Sequence, residues 1–72
     1  MSAAKHTPGP VPASKFDAFV SCMNAADNDD LPDGAWFAVL EETAARFMKE
    51  NGIKGDELDA THQWIQATGS AA

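Results

Sequence analysis

The densest run of side chains able to do chemistry lies between Asp27 and Gly34, DNDDLPDG, where Asp27, Asn28, Asp29, Asp30 and Asp33 crowd together. Oxygen ligands at that density suggest calcium, so the spacing decides. An EF-hand loop needs acidic ligands at positions 1, 3 and 5, glycine at 6 and glutamate at 12. Placing Gly34 at position 6 puts Leu31 at 3 and Leu40 at 12; placing Glu41 at 12 puts Ala35 where glycine belongs. Both frames fail. Asp and Asn do favour turns and helix caps, and carboxylates just ahead of a helix interact well with its dipole. The other role open to the run is that of an acidic contact patch.

Other reactive groups are scattered. His6 and His62 have no second metal ligand at i+3 or i+4, and Glu41 and Glu42 are neighbours, hence about 100° apart on a helix and no paired carboxylate site. Cys22 is the single cysteine, which excludes an internal disulfide and zinc sites built on paired cysteines. It reads as a small packing residue. No phosphate-binding loop, nucleophile elbow or dinucleotide glycine pattern occurs. The sequence therefore predicts neither an enzyme nor a cofactor or metal.

Five basic residues against eleven acidic ones give a net charge of −6. Affinity for phosphates and anionic lipids comes from Lys and Arg, so direct binding to nucleic acid or to an anionic membrane is disfavoured. A helix-turn-helix word order at Asn51 to Asp56 does not change this, because the would-be recognition helix opens with Asp56, Glu57 and Asp59 and holds no Lys or Arg. An acidic surface does suit a basic partner, or a protein surface that normally grips nucleic acid. It also serves simply to keep a small protein in solution. No apolar run approaches the roughly 20 residues a membrane span needs, and the opening lacks a secretory apolar core. A cytoplasmic location is expected.

The elements that must position these groups are helical. From Leu31 to Ile53 one amphipathic helix is legible: Pro32 suits its first turn, and Trp36, Phe37, Leu40, Thr43, Ala44, Phe47 and Met48 share a face. Gly52 is the expected left-handed residue after its end, with Ile53 completing a Schellman cap. An earlier helix is expected from Ser14, with Asp17 loosely completing a capping box and Phe16, Phe19, Val20 and Met23 as its apolar stripe. A third runs from about Asp56 to Thr68, stopped by Gly69, with Leu58, Thr61, His62 and Ile65 facing inward. Trp64 lies off that stripe, either covering the edge of the bundle or anchoring a partner.

Ahead of the helices, Met1 to Ala13 (MSAAKHTPGPVPA) place three prolines and a glycine between Pro8 and Pro12. Proline lacks an N–H donor and pushes its predecessor out of helical geometry, so residues 1–13 read as an extended, disordered arm. The domain proper is then 14–69, with residues 70–72 frayed. The expected fold is all-α: a small three-helix bundle, a helical hairpin with one further helix packed across it.

Lys5-His6-Thr7-Pro8-Gly9-Pro10 resembles the opening of many small bacteriophage and prophage accessory proteins, in which the run is usually KHTPGPW, and the closing Ala67-Thr68-Gly69-Ser70 is similar to their ends. Val11 stands where the tryptophan would be, and the middle of the chain shows no likeness. The resemblance implies a phage origin rather than an activity.

Two functions from different classes follow. In one, a small phage-type protein binds a host protein and inhibits or redirects it, as anti-CRISPR proteins, inhibitors of host transcription and anti-activators of host regulators do. Its contact residues would be Asp27, Asp29, Asp30, Asp33, Asp56, Glu57 and Asp59, with Trp64 as anchor. In the other, the chain is a structural or assembly module. A core this small supplies on the order of 3–5 kcal/mol, and a homodimer through an edge containing Trp36 and Val39, or through the alanine-bearing back of the second helix, would complete it.

Overall fold

The computed structural model describes residues 6–69. Three helices follow in order, α1 Ala13–Ala26, α2 Asp33–Glu50 and α3 Glu57–Thr68, and no strand is present among the described residues. The protein is an all-α three-helix bundle in which α2 packs against both α1 and α3.

α1 buries Phe16, Phe19, Val20 and Met23, the stripe its periodicity predicts. Their rings extend into a chain of aromatic contacts, Phe16 to Phe19 at 6.0 Å between centroids and Phe19 to Phe47 of α2 at 5.3 Å. The start of the helix differs from expectation. Ser14 does not cap it; Pro12 occupies the cap position in extended geometry with no side-chain cap. The Lys15 amide donates to the Pro12 carbonyl (3.0 Å), so the first turn closes on Pro12 instead.

α2 buries Leu40, Thr43, Ala44, Phe47 and Met48. It ends as its sequence predicts. Gly52 is left-handed (φ 64°), a conformation that costs a residue with a Cβ more than it costs glycine. The Ile53 amide then donates to Met48 (2.9 Å) and the Gly52 amide to Lys49 (3.4 Å), the two bonds of a Schellman cap. α3 is capped at its start by Asp56, whose carboxylate accepts from the Leu58 amide (2.8 Å), and at its end by left-handed Gly69.

Two further expectations are overturned, and they share a cause. Residues 6–12 do not form a disordered arm. They curl as a bent strap around Gln63, against α1 and α3, with Val11 fully buried and the His6 ring edge-on to Phe16 at 5.0 Å. The strap is held by Gln63, a polar side chain that is itself only 1% exposed. The Gln63 side-chain amide donates to the carbonyls of Thr7 (2.8 Å) and Val11 (2.9 Å), and its oxygen accepts from the Val11 amide (3.0 Å). The Thr7 hydroxyl donates in return to the Gln63 carbonyl (2.7 Å), and His6 Nε2 donates to the Val11 carbonyl (2.9 Å). Proline's missing donor helps here, since a Pro-Gly-Pro segment has few N–H groups to satisfy. Gly9 permits the close approach: a Cβ there would stand 2.8 Å from the Gln63 Cβ. The part of the disordered-arm expectation that concerns residues 1–5, like the frayed end at 70–72, lies outside the described residues.

The second correction is the face of α3. Of the predicted inner stripe only Thr61 is buried; Leu58 and His62 are exposed and Ile65 is half-buried. The buried face is Ala60, Thr61, Gln63 and Trp64, roughly a third of a turn away at 100° per residue. Trp64 offers the largest apolar surface on the helix, and Gln63 beside it loses no hydrogen bonding on burial because the strap supplies all its partners.

Replacing Gln63 with alanine leaves the Thr7 carbonyl and the Val11 amide without this partner, at about 1–3 kcal/mol for each group left buried and unsatisfied. Gln63→Ala is expected to lower stability in urea by about 2–4 kcal/mol, against less than about 0.5 kcal/mol for Gln66→Ala on the exposed side of the same helix. Circular dichroism through the unfolding transition measures both.

Candidate functional site

The acidic residues are the site expected from sequence, and the fold divides them. In the α1–α2 loop, the Asn28 side chain accepts from the Asp30 amide (3.0 Å) and the Leu31 amide donates to the Asn28 carbonyl (3.2 Å), which tightens the run into a turn. Asp27 accepts from the Trp36 indole N–H (2.6 Å) and so ties the loop to α2. Asp29 and Asp30 in this turn and Asp33 at the start of α2 are exposed.

The carboxylates at the start of α3 part in two directions. Asp56 and Asp59 line a groove of about 450 Å³ between α3 and the Pro8–Pro10 segment, shared with His62 and Gln66. Glu57 turns the other way, to a shallow cleft of about 490 Å³ along α2, whose further walls are Ala38, Val39, Glu41, Glu42 and Ala45. Glu41 and Glu42 thus join an acidic site that the sequence alone did not assemble. Their closeness to Glu57 depends on how α3 crosses α2, which no local pattern encodes.

None of the eleven carboxylates is buried. Among the described residues no ion pair joins a carboxylate to Lys or Arg, although Glu42 and Arg46 are spaced i, i+4 on α2. The net charge of −6 thus sits on exposed and half-buried carboxylates not tied up in ion pairs, where it acts on whatever approaches. No group of three or more His, Cys, Asp or Glu among the described residues could hold a metal ion, and no described helix is long and apolar enough to cross a membrane.

Trp64 is neither an edge residue nor an accessible anchor. It is completely buried, and its indole N–H donates to the Asn24 side chain of α1 (3.0 Å). Its role is to join α3 to α1. Trp36 and Val39, the suggested self-association edge, are both half-buried, and Trp36 is already engaged with Asp27. Cys22 is half-buried as well.

The two tryptophans should report this difference directly. In Trp36→Phe the remaining Trp64 indole is expected to resist acrylamide quenching, whereas in Trp64→Phe the remaining Trp36 is quenched several-fold more readily. Equal quenching would contradict the burial of Trp64. Comparison of the chain with protein-family models, with curated proteins and with solved structures found no match.

Proposed function

We propose that this chain is a small phage-type accessory protein that acts in the host cytoplasm, binding a basic host protein and inhibiting or redirecting it by occupying a surface that otherwise holds nucleic acid. The observation that carries the reading is the uncompensated acidic surface: eleven carboxylates, none buried and none in an ion pair among the described residues. Structural charge networks usually pair; charge left unpaired on a rigid scaffold is available to a partner and costs it little reorganisation. The exposed Asp29 and Asp30, in a turn fixed by Asn28, and Asp33 at the start of α2, tied to the loop by the Asp27–Trp36 bond, present negative charge at defined positions, as a phosphate backbone does.

The same charge opposes the alternative of a homo-oligomeric module, since association would bring together two copies that each carry a net charge of −6. Catalysis has no part in this reading. The resemblance of Lys5 to Pro10 to phage proteins adds the biological setting, and in this chain Thr7 to Pro10 belong to the strap that Gln63 holds.

A pull-down from bacterial lysate with the full chain tests the reading. A partner is expected to be held at about 0.1 M salt and released at about 1 M, where the Debye length falls from roughly 10 to roughly 3 Å. Changing Asp29, Asp30 and Asp33 to Asn should weaken retention, and the captured protein should lose nucleic acid when this chain is added. Retention unaffected by salt and by the Asp→Asn changes would overturn charge mimicry.

A further inference from the structure

The apolar stripe predicted for α3 stays largely at the surface, with Ile65 packed in part against the core. Leu58, His62 and Ile65 fall at i, i+4 and i+7 and share one face. Leu58 is 38% exposed, His62 is exposed and Ile65 half-buried. The His62 ring meets the ring of Phe37 on α2 at 5.8 Å, and Phe37 is itself half-buried. That contact carries the apolar strip from one helix to the other. Phe37 also adjoins, through Ala38 and Glu41, the cleft walled by Glu41, Glu42 and Glu57. A two-helix apolar strip thus runs beside three carboxylates that form no ion pair with Lys or Arg among the described residues.

We propose that this face docks an amphipathic basic helix of the partner protein. The apolar side of the incoming helix covers Leu58, Phe37 and Ile65, and its lysines or arginines reach Glu41, Glu42 and Glu57. The proposal rests on the partner-binding reading above and names the face and the chemistry of the partner. A strip spanning two helices suits a third helix laid along it, which anchors residues at i, i+3, i+4 and i+7. Charge complementarity selects the occupant. A second copy would set its own carboxylates against these, and an anionic lipid surface would be repelled by the same groups.

The test is a titration of the full chain, followed by fluorescence anisotropy, with two labelled synthetic peptides of about 18 residues, some five helical turns. One places leucines at i, i+3, i+4 and i+7 with lysines elsewhere; the other has the same composition with the leucines scattered. The patterned peptide is expected to bind about tenfold or more tightly than the scattered one. Leu58→Gln, at an exposed position, and Leu58→Gln with Ile65→Gln should weaken the patterned peptide progressively, the pair by about tenfold or more, with circular dichroism confirming the fold. Glu41→Gln, Glu42→Gln and Glu57→Gln together should weaken both peptides and flatten the salt dependence.

Equal binding of the two peptides, or a Leu58→Gln variant that binds the patterned peptide as the native chain does, would overturn the docking face while leaving the charge-driven reading standing. Failure of both peptides to bind at about 0.1 M salt would overturn both. Light scattering that shows a dimer abolished by Leu58→Gln would assign the face to a second copy and overturn the proposal.

Discussion

One primary amide holds the first described residues to the last helix. Gln63 uses both of its amide hydrogens and its oxygen on the backbone of Thr7 and Val11, more than fifty residues away in sequence, and its own carbonyl receives the Thr7 hydroxyl. In an interior of low dielectric such a set either is complete or is costly, and here no buried side-chain nitrogen or oxygen among the described residues lacks a partner. A bundle of this size has little margin. The strap adds Val11 to the core and, through His6, covers Phe16.

The rotation of α3 follows from the same interaction. With Gln63 facing the strap, its neighbour Trp64 enters the core and meets Asn24, while Leu58 and His62 are turned outward and Ile65 is left at the core's margin. Burial of one large aromatic outweighs that of two aliphatic side chains that keep part of their surface covered in any case. The surface features thus trace back to the clasp. Glu57 reaches the α2 cleft, and His62 reaches Phe37, because of the angle at which α3 is held. The proposed recognition of a basic helix uses a face that the packing of the interior has left over.

What could be read from the sequence was whatever is encoded locally. The stripe of α1, the buried face of α2 and the Gly52–Ile53 stop all rest on spacing within one turn or two, and each is found in place. The arm and α3 depart from the pattern for one reason. Hydrophobic periodicity gives glutamine no credit for burial, and a proline-rich segment signals extension without saying what it lies against. Gln63 and the Thr7–Val11 backbone satisfy one another only in three dimensions. Ser14 fails as a cap because the strap leads directly into the helix at Pro12. The acidic site was legible as charge but not as geometry: Asp56 and Glu57 are adjacent in sequence and line different grooves.

The most direct measurement of this account is amide hydrogen exchange at Val11, whose N–H donates to the Gln63 side chain and lies in a segment with no helical bonds of its own. If the strap is part of the folded unit, the Val11 amide exchanges as slowly as the amides of central α2, by way of global unfolding. Exchange of Val11 at the rate of a free peptide, while the amides of α2 remain protected, would contradict it.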